Sequence, residues 1–274
     1  LTNWPVRGGF IEENIGLAGS TDGTDVAAAV GANTKGSYVE LIASTAYDTQ
    51  EIYVEAGVEV NSIEGLFDLA VGAGGSEVGL VENLAFGYGV VGHAKTVRLP
   101  LPIPAGSRVS GRFQSSISGS RVLNVGCKLL NDGGSAGPSY QLLEEHGANT
   151  GTSHATTIDA GGTADTKGSW TQVVASTSYD WAGFIVNIAE EAARSTTVRF
   201  RLDIGVGAAA SEVAVVEDIF FKRYGSSVAN LTTPTYAFFN RQVPAGSRVA
   251  ARAQCSSNTA GAREFELQVH GLVA

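Results

Sequence analysis

Several acidic positions occur twice in this chain at nearly constant spacing. They are Glu12-Glu13 with Glu144-Glu145, Asp48 with Asp180, Asp68 with Asp203, Glu77 with Glu212, and Glu82 with Glu217. Two carboxylates held across a cleft are what glycoside hydrolysis requires, one as acid and the other as base or nucleophile. Asp68, Glu77 and Glu82 are near enough in sequence to converge in that way. Their setting favours a structural role instead. Asp68 falls on the outward positions of a predicted strand, and Glu77 follows a turn, where a carboxylate accepts backbone N–H groups. No catalytic residue is assigned, and the chain reads as non-enzymatic.

Other chemistry finds little support. His93, His146, His154 and His270 are scattered, without i, i+4 or cysteine partners, so no metal set is expected. Thr21 to Asp25 resembles the start of a calcium loop, but Asn33 stands where the bidentate glutamate belongs, so a turn is the better reading. Gly72 to Gly75 and Gly207 to Ala210 join strand to strand; a phosphate cradle needs a following helix. No serine sits in a nucleophile elbow. Neither metal nor cofactor is expected. Cys127 and Cys255 occupy non-equivalent positions in the two halves and read as buried free thiols, which suits a reducing cytoplasm.

The candidates that remain are surfaces. Arg108 with Arg248, and Arg112 with Arg252, recur on the outward face of one predicted strand. Two readings stay open for them: cross-strand ion pairs with the recurrent acids, or a subunit interface, where arginine is enriched. Tyr140 and Trp181 lie at loop edges and are candidates for stacking on a sugar. Trp170 aligns with Tyr38 inside the repeat and reads as core. Trp4 is available to pack on a neighbour.

The elements that position these residues come from one unit of about 132 residues written twice. Phe10 to Glu13 matches Leu142 to Glu145, and Thr34 to Ser37 matches Thr166 to Ser169. Ala43-Ser44-Thr45 with Tyr47-Asp48 returns as Ala175-Ser176-Thr177 with Tyr179-Asp180. Asp68 to Val78 returns as Asp203 to Val213, and Pro104 to Val109 as Pro244 to Val249; the offset grows from 132 through 135 to 140. Strict alternation marks strands: Val198, Phe200, Leu202, Ile204 and Val206 face one way, Arg199, Arg201, Asp203 and Gly205 the other. Roughly eight strands per copy and no long helix predict an all-β chain of two tandem jelly-roll-like β-sandwich domains arising from an internal duplication. Residues 1–9 form an N-terminal arm, 10–130 the first sandwich, 131–141 a Gly/Ser/Pro linker and 142–274 the second. Ile188 to Ser195 reads as a loop insertion.

Composition agrees. Apolar residues make up 43% and charged ones 16%, with 35 glycines, no methionine and a net charge of −9. An acidic chain without a basic stripe is a poor nucleic-acid ligand. No stretch approaches the ~18 apolar residues of a membrane helix, and no signal peptide is visible at the N-terminus.

As a series, T-K-G-S-[WY], A-S-T-x-Y-D, D-[LI]-[AG]-V-G-A-x-x-S-E-V and P-A-G-S-R-V resemble a recurrent pattern in structural proteins of tailed-bacteriophage virions. The resemblance implies a tail, fibre-base, head-spike or capsid-decoration component, made in the bacterial cytoplasm and assembled into the virion beside other virion proteins. Duplication in a trimer would give six quasi-equivalent units, so a homo-oligomer, and a trimer first, is expected. The alternative is a lectin-like module for a host surface glycan.

Overall fold

A computed structural model describes residues 11–17, 23–58, 64–86, 95–119, 121–131, 140–189, 196–224, 230–231 and 236–274. The N-terminal arm with Trp4, the calcium-like Thr21-Asp22 start, His93 and most of the expected linker lie outside them.

The first repeat contributes β1 (Ile11–Ile15), β2 (Thr24–Ala27), β3 (Val39–Ile42), β4 (Glu51–Val58), β5 (Gly65–Val71), β6 (Val78–Phe86), β7 (Lys95–Leu99), β8 (Val109–Ser115) and β9 (Val122–Asn131). The second contributes β10 (Leu142–His146), β11 (Ala148–Asn149), β12 (His154–Asp159), β13 (Thr171–Val174), β14 (Gly183–Ala189), β15 (Val198–Val206), β16 (Val213–Tyr224), β17 (Asn230–Leu231), β18 (Tyr236–Phe239), β19 (Val249–Cys255) and β20 (Glu264–Val273). Of the expected loop insertion, Ile188 and Ala189 thus end a strand, and residues 190–195 lie outside the described residues.

Every pairing is antiparallel. In the first repeat β2, β9, β4 and β7 make one sheet, with β1 also on β9, and β3, β8, β5 and β6 make the other. The second repeat reproduces this as β12-β20-β14-β18, with β10 on β20, and β13-β19-β15-β16. Strands alternate between sheets in the order of two interlocked Greek keys, which is the jelly roll. Each sandwich fills its interior with the alternating apolar residues. Phe200, Phe221 and Phe265 meet at 4.8–5.1 Å between ring centroids in the second. In the first, Gly65 replaces Phe200, and a Cβ there would overlap the ring of Phe113, whose counterpart is the small Ala253. One large ring is kept, supplied by the neighbouring strand.

The structure corrects one alignment. Ile15 pairs with Cys127 and His146 with Val269, while Val54 and Val186 face those same two residues. The first strands therefore correspond at an offset of 131, making Glu13 the counterpart of Glu144. Gly16 and Gly147 confirm it. Both have positive φ (74° and 88°), and a Cβ on either would meet the carbonyl of Val125 or Leu267 at 2.7 Å.

The repeated motifs recur because they hold one another. Thr45 Oγ1 donates to the Pro104 carbonyl (2.9 Å) and accepts from the Ser107 N–H (3.1 Å), while Asp48 accepts from the Ala105 N–H (2.8 Å). Thr177, Pro244, Ser247, Asp180 and Ala245 repeat this at 2.8, 3.1 and 2.8 Å. The A-S-T-x-Y-D loop is thus the clasp of the P-A-G-S-R turn. Both threonines are 3% exposed, so water cannot replace a lost partner. Thr177→Val should cost about 1–3 kcal/mol, seen in denaturant unfolding as a lower midpoint at unchanged slope.

Candidate functional site

Charge gathers on the outer face of the β3/β8/β5/β6 sheet and its counterpart. Asp68, on central strand β5, is fully buried although it points out of the sandwich. Lys35 and Arg112 both bond it, Arg112 Nε at 2.6 Å, and the Asn83 N–H donates to it at 2.7 Å. The second copy matches: Asp203 takes Lys167 at 2.5 Å, Arg252 at 3.0 Å and the Asp218 N–H at 3.0 Å. Two residues of β6 or β16 oppose each aspartate, and the second, Asn83 or Asp218, has φ of 56° or 57°. Each aspartate therefore ties down a β-bulge. Above it Arg112 stacks on Tyr38, and Arg252 on Trp170, each 4.5 Å from the ring centroid. Trp170 is consequently half-buried on the outer face and not core. It lies flat over Gly205, where any Cβ would strike the ring.

Burial opposes ionisation of Asp203, but Lys167, the Asp218 N–H and Arg252 outweigh it and hold the carboxyl below its ordinary value. Arg108 and Arg248 are committed likewise. Arg108 pairs with Glu40 (2.8 Å) and Glu77 (3.1 Å), Arg248 with Glu212 (2.6 Å) and Gln172 (2.9 Å). Of the two readings of the recurrent arginines, cross-strand ion pairing is the one these distances support. Glu77 also accepts the Gly75 N–H at 2.9 Å, as its place after a turn predicts.

A second concentration of polar groups lies where the sandwiches meet. The outer face of β5, β6 and β8 packs on the outer face of β12, β14 and β20, with Leu66, Ala85, Ala155 and Ala189 at its dry centre. Around them Gln268 accepts the Ala85 N–H (2.7 Å) and donates to the Asn83 carbonyl (2.6 Å), and Asn187 donates to the Ala85 carbonyl (3.2 Å). Gln114 reaches Ser153 (2.9 Å), which bonds Asn33 (2.7 Å), and His154 lies between Glu64 (3.2 Å) and Glu266 (3.1 Å). At the rim a cleft of about 300 Å³ is lined by Glu82, Glu144, Glu145 and Tyr179. Burial raises the Glu144 carboxyl, but the Trp181 indole (2.6 Å), the Ser178 N–H (2.6 Å) and His146 (2.9 Å) overcome this, and its pKa is lowered. Glu145 goes the other way, pushed up to about 8 by burial and by nearby Asp68 and Glu82, against the Glu82 N–H and Lys35. The two carboxyls line one cleft with opposite pKa shifts.

The expected sugar platforms are not at the surface. Trp181 is 1% and Tyr140 4% exposed. Trp181 lies against Gly271, its indole N–H spent on Glu144, and Tyr140 joins the first apolar core. Among the described residues the exposed rings are Tyr47, Tyr179 and Phe220, at 46%, 47% and 54%. Both cysteines are buried free thiols, as expected; burial pushes Cys127 up to about 12. Among the described residues no His/Cys/Asp/Glu group could hold a metal ion, and no helix is long and apolar enough to cross a membrane. Sequence reasoning missed Arg223, fully buried, whose guanidinium bonds the Glu264 (3.0 Å) and Ala262 carbonyls. It also missed Asn187 and Gln268. Polar residues on strand positions that alternation assigns to solvent carry no mark of burial under a second sheet.

Two outcomes are expected. Asp203→Asn leaves Lys167 and Arg252 facing a neutral amide and should cost about 2 kcal/mol. Because the Asp203 pKa is depressed, its contribution is present above about pH 4 and lost as pH falls, so the variant's acid unfolding limb should be shallower. Glu145 has the opposite sign: its contribution is present below about pH 4.5 and lost as pH rises toward 8. Glu145→Gln should remove that slope and exceed the parent by about 2 kcal/mol at pH 8, measured by unfolding across pH.

No family model matches the chain, and no curated protein matches it. Among solved structures, PNGF-II in a P21 crystal is similar over 97% of this chain and 66% of its own, at 9% identity and a TM-score of 0.39. The chain thus spans about two thirds of that protein. The N-terminal CBM22-1–CBM22-2 tandem domain of Paenibacillus barcinonensis Xyn10C matches over 98% and 92%, at 10% identity and a TM-score of 0.25. The Macrobrachium rosenbergii nodavirus structure matches over 97% and 89%, at 10% identity and a TM-score of 0.22.

Proposed function

We propose that this chain is a non-enzymatic structural component of a tailed-bacteriophage virion, of tail, fibre-base, head-spike or decoration type, acting by docking β-sandwich faces against other virion proteins and further copies of itself. The observation that carries the reading is the joint between the sandwiches. A whole sheet face, with Ile185, Asn187 and Gln268 at or below 1% exposure, is made to be covered by another sandwich rather than by water. The recurrent charged residues support it, since their side chains are spent on turns, bulges and cross-strand pairs. Synthesis in the bacterial cytoplasm and incorporation into the particle belong to the same proposal.

A second reading, recognition of a host surface glycan, draws on Tyr179, an exposed ring beside the carboxylates of the rim cleft. Ring and carboxylates together suit a sugar face and its hydroxyls.

Cryo-electron microscopy of the host particle with and without the chain separates them. Difference density repeating around a tail or over a capsid is the expected result. Absence from the particle, with glycan-array binding that Tyr179→Ala abolishes, would replace the first reading by the second.

A further inference from the structure

Among the described residues, the internal joint leaves two faces of the same kind uncovered: the outer face of β15, β16 and β19 in the second sandwich, and the outer face of β2, β4 and β9 in the first. Because the sandwiches correspond strand by strand, the joint can be carried over onto them residue by residue. In the joint, Ala85 and Leu66 of the first sandwich gather with Ala148, Ala155 and Ala189 of the second. The counterpart of Ala85 is Phe220, 54% exposed, and the counterpart of Ala148 is Leu17, 43% exposed. Two of the exposed large apolar residues therefore occupy the two sides of one transposed cluster. Leu17 rests over Gly126, the counterpart of Gln268, where a Cβ would meet its methyl at 2.7 Å. The carbonyl-seeking Gln268 of the joint thus becomes an apolar seat.

The charged rims follow the same exchange. Leu66 corresponds to the exposed Arg201 and Glu64 to the exposed Arg199. Facing them after transposition are Glu55, the counterpart of Asn187, and Asp25 beside Asn124, the counterpart of Glu266. Cations meet acids. Isolated exposed apolar residues are ordinary; this pair is set apart by register.

We infer that copies of this chain associate head to tail, the β15/β16/β19 face of one docking on the β2/β4/β9 face of the next, with Phe220 of the first against Leu17 and Gly126 of the second. The two faces differ, so the contact is heterologous and builds a ring where the rotation closes and an open row where it does not. This rests on the assembly reading above and names the surface that serves it.

The test is sedimentation velocity over a concentration series on the chain, on Phe220→Asp, on Leu17→Asp and on an equimolar mixture of the two variants. The chain should self-associate, and each variant alone should be monomeric. The mixture should form a one-to-one dimer and nothing larger, because each variant retains one sound face. Circular dichroism and unfolding midpoints matching the parent confirm folding, since both residues are exposed. Oligomers of either variant like those of the parent would overturn the proposed face and leave assembly standing. A monomeric parent at every concentration, with no binding to the particle, would overturn both. A mixture that stays monomeric would overturn the head-to-tail geometry.

Discussion

Each sandwich is organised around one aspartate on its central outer strand, with the charge taken out of water. Desolvation alone would make that position untenable for a carboxylate. It becomes tenable because three segments converge on it, T-K-G-S-[WY] supplying both a lysine and a ring. The T-K-G-S loop sends a lysine, the strand after P-A-G-S-R sends an arginine, the bulge of the neighbouring strand sends a backbone N–H, and an aromatic ring roofs the arginine. Each segment comes from a different part of the repeat. The aspartate therefore sets how three strands and a loop lie relative to each other, which apolar contacts alone do with less directionality.

From this constraint the repeated motifs become intelligible as a circuit. T-K-G-S meets the aspartate of D-[LI]-[AG]-V-G. The turn that ends that strand offers the carbonyl of Gly72 or Gly207 and the carboxylate of Glu77 or Glu212 to the arginine of P-A-G-S-R. P-A-G-S-R is in turn clasped by A-S-T-x-Y-D. Both repeats hold the circuit whole. Residues outside it, such as Gly65 with Phe113 against Phe200 with Ala253, drifted in compensating pairs.

Much of the fold was legible for that reason. Alternation gave the strands, turn residues gave their ends, and two copies of one pattern implied two copies of one sandwich. What alternation hides is the second covering of a sheet. Leu66 occupies a position that a lone sandwich turns to water, as its exposed counterpart Arg201 shows, yet it is fully buried. The same blindness misplaced the aromatics. Trp181 lies at a loop edge in sequence, but that loop folds back over Gly271, while Trp170, inside a motif, lies outside the barrel of side chains. Only the covering partner distinguishes such cases, and local sequence does not name it.

The two sandwiches also show how a duplicated fold divides its labour. At the joint the first sandwich set Leu66 and Ala85 on its outer face, and the second set Asn187, Ala189 and Gln268 opposite, beside His154 and Glu266. The corresponding free faces kept charge: Glu51 with Arg98 and Glu55 with Lys128 on one, Arg201 with Asp218 on the other. A permanently covered face gains from dry packing and satisfied amides. A face that must stay soluble until it finds a partner keeps ion pairs in water, where they contribute little to stability and keep the unpartnered face hydrated. Phe220 and Leu17 are exposed apolar residues on those free faces, and they stand at the positions where the joint has its alanines.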